Sequence, residues 1–376
     1  MLILAIETSC DETSVAVVRD GRVVLSNVIA SQIATHAPTG GVVPEVAARE
    51  HIKVMMPVLR QALAETRDFA VIKTGLTWDD IDAIAVTKEP GLVGSLVVGR
   101  MTAAALAFAL DKPLIEVNHV HGHMYSTWLF DGPTLSKAEP DDERRVRAES
   151  GVPKEASKPE FPVLILTVSG GHNELVLMRG HGNFEVLAET VDDSAGEAFD
   201  KVARLLGLGY PGGPAVEDRA KLGNPAAVKF PIALRHEKNF SFSGLKTAVF
   251  YYLKENAARL NDEVFVNDVA ASFQEAVVSA LVEKLMQAVT KFRPKEVHLT
   301  GGVSANRFLR GRIEEELSRC ALVRVADLLS GRAPLFRFPV KMEYCTDNAA
   351  MIGAAAYFGS VFPGPLHAPE LENHAL

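Results

Sequence analysis

The chain has 376 residues, 48% of them hydrophobic and 23% charged. That length allows two lobes with separate cores, and the composition is that of an ordinary soluble globular protein. A formal net charge of −8 speaks against a surface that grips phosphate backbones unaided. Cys10, Cys320 and Cys345 are odd in number and too widely spaced for a CxxC clip, so neither a disulfide framework nor a thiolate metal clip is expected.

The N-terminus, Leu2–Glu7, is an apolar run that reaches an acid at once and has no basic leader, so it reads as a first strand and not a signal peptide. Ser14–Arg19 alternates apolar with small or polar residues, and Val23–Ile29 follows the tight turn Asp20-Gly21, giving two further strands. Pro44 opens a helix on which Val46, His51, Val54, Val58 and Leu63 recur near helical spacing. Ile81–Thr87 is a buried strand. The turn Pro90-Gly91-Leu92-Val93-Gly94 leads from it into an Ala-rich helix that stops near Leu110, before Asp111-Lys112-Pro113. Leu114–Val117 is the next strand. Apolar stretches along the chain are broken by Gly, Lys or Asp short of a membrane span, so no membrane partner is expected.

Directly after that strand, His119 and His123 lie four apart. On a helix they share a face and could bind one metal ion, or they could be ordinary polar helix residues; His121 points elsewhere. Strand ends in α/β folds face the ligand crevice, which favours the metal reading. Val120 occupies the position where a zinc protease needs its glutamate, so proteolysis lacks a general base.

Leu129–Glu160 then separates two halves. From Lys137 onward it is dense in charged residues and proline, as in a solvated insertion. Beyond it the opening is repeated: Phe161–Val168 is an apolar strand, Gly170-Gly171 turns it, Glu174–Met178 returns, and Val186–Thr190 is a third run. Asp192-Asp193 is an acidic turn entering a helix that carries Asp200 and Lys201, and Tyr210-Pro211-Gly212-Gly213-Pro214 reads as a rigid loop after it. The aspartates are helix caps or, for Asp200, a contact to a substrate hydroxyl or amine. A long helix covers Val269–Phe292, followed by the strand Glu296–Thr300, the turn Gly301-Gly302 and a helix around Asn306–Arg319. Asp347 stands at the start of a small-residue helix, as its N-cap or as a third metal ligand. Two histidines and one carboxylate leave coordination positions open, a pattern that suits iron(II) and sometimes zinc.

The repeated strand–turn–strand–strand opening implies an α/β protein of two pseudo-duplicated lobes, 1–128 and 161–358, with 129–160 between them and 359–376 as a tail. The last helix is free to pack back on the first lobe. A ligand cleft between the lobes follows. Three turns occupy equivalent places after strands: Glu7–Thr13, Ser169–His172 and Thr300–Asn306. Glycines there let backbone N–H groups approach a phosphate or ribose, and a single such turn is more often a plain hairpin, but three in register point to a nucleotide.

The segments Ile6–Val18 (IETSCDETSVAVV), Gly40–Glu45 (GGVVPE), Pro90–Leu96 (PGLVGSL), Asn118–His123 (NHVHGH), Val168–His172 (VSGGH), Gly196–Pro214, Phe240–Val249 (FSFSGLKTAV), Gly301–Arg310 (GGVSANRFLR) and Cys345–Gly353 (CTDNAAMIG) together resemble the TsaD (Gcp) family, in family order over nearly the whole chain. The resemblance implies an actin/Hsp70/sugar-kinase (ASKHA) fold and transfer of a threonylcarbamoyl group from threonylcarbamoyl-AMP to N6 of the adenosine 3′ of the anticodon, position 37, in tRNAs reading codons that begin with A. It implies that His119, His123 and Asp347 hold one divalent metal, iron(II) or else zinc. It also implies that Thr167, Val168, Ser169, Gly170, Gly171, His172, Asp200, Gly213 and Asn306 bind the adenylate, with Asp11, Glu12 and Asp200 at the reacting end. TsaB-like and TsaE-like proteins would be partners in a bacterial-type cytoplasm. The competing readings are a small-molecule kinase, an Hsp70-like ATPase, or a non-catalytic nucleotide-binding subunit. One departure is that Lys88-Glu89 precede Pro90, where the family commonly carries a glycine.

Overall fold

The computed structural model describes residues 1–68, 73–131, 159–235, 237–326 and 333–361. Most of the charged insertion and of the tail lies outside the described residues.

The first half contains β1 (Leu2–Glu7), β2 (Glu12–Arg19), β3 (Val23–Ser31), the single turn α1 (Ile33–His36), α2 (Pro44–Ala64), the short pair β4 (Arg67–Asp68) and β5 (Lys73–Thr74), β6 (Ala83–Glu89), α3 (Val93–Leu110), β7 (Leu114–Asn118), α4 (His119–Tyr125) and β8 (Phe130–Asp131). The second half contains β9 (Val163–Val168), β10 (Asn173–Gly180), β11 (Asn183–Glu189), α5 (Ala195–Leu205), α6 (Gly212–Ala220), α7 (Ser243–Glu255), α8 (Glu263–Phe292), β12 (Glu296–Thr300), α9 (Arg307–Ala326), β13 (Leu335–Arg337) and α10 (Ala349–Val361).

Two sheets carry these elements. The first runs β7-β6-β1-β2-β3-β8 and the second β11-β10-β9-β12-β13. In each, three strands linked by short turns pair antiparallel, and the first of them then takes a parallel neighbour reached through helices. The duplication expected from the sequence is therefore real, with β1 matching β9, β6 matching β12, and β7 matching β13. The three-residue strand β13 left no recognisable run in the sequence.

Alternation in the strands builds three cores. Leu4, Ile6, Val15 and Val17 face α2 and α3 on the outside of the first sheet. Leu164, Leu166, Leu175 and Leu177 face the long helix α8 and its neighbours on the outside of the second. Ile3, Ala5, Ala16 and Val18 from the first sheet share the third core with Val163, Ile165, Val176 and Met178 from the second. Helices α4 and α10 lie in that layer. Small residues make the fit possible: a Cβ on Gly122 would come within 2.8 Å of Ile352, and Gly353 sits against Val18 in the same way. The last helix thus packs on the first sheet, which explains its run of alanines. Trp128, fully buried here, forms a T-shaped contact with His298 of β12, and Thr127 Oγ1 lies 2.8 Å from His298 Nδ1, tying the halves together.

Several expectations need correction. Leu129–Asp131 do not belong to the insertion: Leu129 is buried and β8 pairs with β3. Gly212-Gly213-Pro214 form no loop but the first turn of α6, where a proline is tolerated because early N–H groups have no intrahelical acceptor. The long helix begins at Glu263, six residues before Val269, because the Asp262 carboxylate accepts from the N–H groups of Val264 and Phe265. Helix α7 went unread. By length and composition, Val93–Leu110 and Glu263–Phe292 are each apolar enough to cross a membrane, contrary to the sequence reading; the second is mostly buried as a core helix.

Candidate active site

The first turn after β7 creates the site. Asn118 caps α4 by accepting from the N–H groups of Val120 and His121, which starts the helix at His119 and turns His119 and His123 to the same side. Their rings meet edge to face with centroids 4.8 Å apart. His121 leaves that face and stacks on Phe184. From the other half, Asp347 precedes α10. Asn348, not Asp347, caps that helix, its side chain accepting from Met351 N–H at 3.1 Å. Asp347 is thereby released, and its Oδ1 lies 3.2 Å from His123 Nε2 and 3.5 Å from His119 Nε2.

One ligand atom from each of these three residues falls within 4.8 Å of the others, as needed to hold one metal ion. His123 Nδ1 has no hydrogen-bond partner although the side chain is buried, and its Nε2 faces the Asp347 carboxylate, from where it could coordinate a cation. His119 is different. Its Nδ1 is 3.2 Å from Oε2 of the fully buried Glu7, which also accepts from Thr87 Oγ1 and Ser9 N–H. Glu7 therefore holds the ring so that Nε2 faces Asp347, the orientation an outer carboxylate would give a metal-ligating histidine. Sequence reading missed Glu7, although an acid ending an apolar strand was the available signal. Among protein charges alone, burial works against charge on His119, yet Asp347 and Glu7 raise its pKa well above the ordinary value. Burial would push Asp347 up, but His119 and His123 hold it well below the usual carboxylate range.

Asp11 ends the turn from β1 to β2, and Glu12 is the first residue of β2. His51 of α2 braces that turn, its Nδ1 2.7 Å from Thr13 Oγ1 and its Nε2 3.0 Å from the Cys10 carbonyl oxygen. Burial, then the neighbouring Asp11 and Asp347, push Glu12 up to about 9, so with protein charges alone it carries its proton at neutral pH; a cation at Asp347 would pull it back down. Asp200, on α5, is raised by burial and accepts from Gly212 N–H at 2.7 Å. Its charge interacts with Asp11 across the cleft.

The facing wall is the β9–β10 hairpin. Ser169 N–H donates to the His172 carbonyl, and a Cβ at Gly170 or Gly171 would touch nothing within 4 Å. Gly213 and Gly302 are open in the same way. Gly301 is forced: it has φ +84° and a Cβ there would fall 2.5 Å from the Val168 carbonyl oxygen. His172 feels the charges of His119, His123 and Asp347, and burial together with the two histidines lowers its pKa. His172, the last residue of the glycine turn, therefore lies within electrostatic reach of the His–His–Asp cluster.

The model of the family described as "TsaD: tRNA N6-adenosine threonylcarbamoyltransferase" matches residues 23–138 and 146–354. The chain belongs to the TsaD family. A tRNA N6-adenosine threonylcarbamoyltransferase of Symbiobacterium thermophilum is 48% identical over 358 residues, covering 95% of this chain and 91% of the relative. Proteins of the same name from Thermomicrobium roseum (46%, 95% and 92%) and Moorella thermoacetica (47%, 95% and 91%) are similarly close. Among solved structures, the T. kodakarensis HypF is similar with a TM-score of 0.57 at 14% identity, over 96% of this chain and 48% of that one. Full-length HypF in a phosphate- and nucleotide-bound form gives 0.54 at 15%, over 98% and 56%. These two likenesses concern the fold, which is the two-lobed ASKHA type.

Not every residue implied by the TsaD resemblance offers its side chain to the cleft. Thr167 and Val168 are fully buried, and Thr167 Oγ1 accepts from Thr300 Oγ1 at 2.9 Å, so only their backbone can reach a ligand. The Asn306 side chain is occupied twice. Its Nδ2 donates to Gln274 at 2.8 Å, and its Oδ1 accepts from Leu309 N–H at 2.9 Å, which caps α9. The structure brings together His119, His123, Asp347, Glu7 and His172.

Proposed function

We propose that the chain transfers a threonylcarbamoyl group from threonylcarbamoyl-AMP to N6 of adenosine 37 in tRNAs reading codons that begin with A, and that this chemistry takes place in the cleft just described. The observation that supports the reading is the His119–His123–Asp347 cluster, able to hold one cation, together with the open glycine turn at Gly170-Gly171, whose His172 feels the charge of that cluster, a combination suited to an adenylate beside a cation.

In the reaction the N6 amine forms a bond to the carbamoyl carbon, the bond from that carbon to the phosphate oxygen breaks, AMP leaves and the amine loses a proton. His119, His123 and Asp347 would hold one divalent ion, iron(II) before zinc given two nitrogens and a carboxylate with positions left open. When bound, such an ion supplies Lewis acidity to the acyl end. Glu7 orients His119 for it. Gly170, Gly171, Gly213 and Gly302 leave room for the AMP moiety, and the backbone of Thr167–Ser169 lies behind it. Asp200, poised nearer neutrality than a free aspartate, suits acceptance of the amine proton. Much of the rate comes from holding the two substrates in line.

A TsaB-like partner is supported by an apolar stripe on α3, where Val93 (78% exposed), Val97, Met101 and Phe108 (91% exposed) face outward beside Ile52 and Met56 of α2. A TsaE-like partner and a cytoplasmic location complete the reading, and partner surfaces would compensate for the chain's net charge of −8. The test supplies tRNA and threonylcarbamoyl-AMP to the purified protein with those partners and looks for the modified nucleoside by mass spectrometry. Absence of product with all components present rejects the reading.

A further inference from the structure

We infer that the groove between α5 and α7 is a stacking platform for an unpaired base of the tRNA anticodon loop next to the adenosine being modified; the inference rests on tRNA being the substrate. The groove has a volume of about 300 Å³ and is lined by Lys201, Arg204 and Leu205 of α5 and by Lys246, Phe250 and Tyr251 of α7. Helical spacing puts Lys201, Arg204 and Leu205 on one face of α5 and Lys246 with Phe250 on one face of α7, and Tyr251 lies one position round from Phe250.

Two features set it apart from an ordinary surface crevice. Phe250 and Tyr251 are 45% and 57% exposed, with their rings in edge contact at 5.4 Å, so two aromatic surfaces are presented side by side to water. Three cations surround them in a chain whose net charge is negative. Asp193 and Glu197 take up part of the charge of Lys201 and Lys246. The Arg204 guanidinium donates to the Gly40 carbonyl oxygen and has no carboxylate in ion-pair contact among the described residues. Cations flush with exposed rings match a base on its sugar–phosphate chain, since every base offers a flat π-face and every nucleotide a phosphate.

Position makes the occupant specific. Lys201 directly follows Asp200 on α5. Asp193, which both lysines bind, directly precedes Ser194, whose Oγ donates to the Gly170 carbonyl at 2.6 Å. Arg204 reaches the other lobe at Gly40. The groove therefore opens beside the cleft's mouth. For N6 of one adenosine to enter the cleft, that base must leave its stack, and its neighbours lose a stacking partner. A pair of exposed rings at the entrance offsets that loss.

The experiment compares Phe250→Ala/Tyr251→Ala with the wild-type chain, both with their partner proteins, at varied tRNA and at varied threonylcarbamoyl-AMP. KM for tRNA is expected to rise roughly 10- to 100-fold, with kcat and KM for the adenylate within about twofold. The aromatic-retaining pair Phe250→Tyr/Tyr251→Phe is expected to restore KM. An unchanged KM for tRNA in the alanine variant, with its thermal unfolding intact, overturns the inference, as does loss of a protein partner at unchanged KM. If the wild-type chain itself modifies no tRNA, the functional reading fails instead.

Discussion

The two halves of the molecule use one strand order for opposite tasks. In the first, the turn leaving the central strand is Thr8–Asp11, bordered by Glu7 and Glu12, and three of its four side chains bear oxygen or charge. In the second, the equivalent turn is Ser169-Gly170-Gly171-His172, mostly bare backbone. Acids beside a cation site manage charge and protons, whereas glycine N–H groups accommodate a phosphate that acids would repel. The metal candidates straddle both: His119 and His123 follow β7, and Asp347 follows its counterpart β13. On the proposed function, a duplicated scaffold would thus supply a reacting end and a holding end without either compromising the other.

The division of labour can be broken most severely at the straddling cluster. His119→Ala should lower modification by ~1000-fold or more and leave the purified protein without stoichiometric metal, read by elemental analysis beside the nucleoside assay. Asp200→Asn should cost ~100-fold in kcat, the usual worth of a positioned proton acceptor, with adenylate binding little changed. A comparable loss in adenylate affinity would move Asp200 to the holding end and blur the contrast. Glu7→Gln should weaken metal affinity by roughly 10- to 100-fold, measured by titrating cobalt(II) and following its absorption; unchanged affinity would remove Glu7 as the outer carboxylate.

On the glycine side, Gly171→Ala should raise KM for the adenylate about 10-fold and leave thermal stability alone, because its Cβ meets no protein atom. Gly301→Ala should lower the melting temperature as well, since positive φ alone costs about 1 kcal/mol and the Val168 carbonyl stands in the way. The smallest effect lies away from both ends. Glu296 is buried with His298 and Arg337, and although burial opposes it, hydrogen bonds from both hold its pKa down to about 2. A depressed carboxylate stabilises the fold above its unfolded pKa of 4.5 and loses that contribution as pH falls toward 2. Acid unfolding followed by circular dichroism should therefore show a shallower dependence in this window for Glu296→Gln.

Local pattern and motif content were enough for the duplicated strands, the HxxxH face and the family, because hydrophobic alternation, a cap at Asn118 and helical spacing act over a few residues. Asp347 could be named but not assigned: whether it caps α10 or is released depended on Asn348 taking the cap. Tertiary structure decided the rest. Glu7 became a partner of His119 across 112 residues only when β1 and β7 flanked β6 in one sheet. Asn306 turned inward to Gln274, and β13 formed from three residues because β12 offered it a free edge. Those outcomes depend on contacts between segments distant in sequence, which no local pattern encodes.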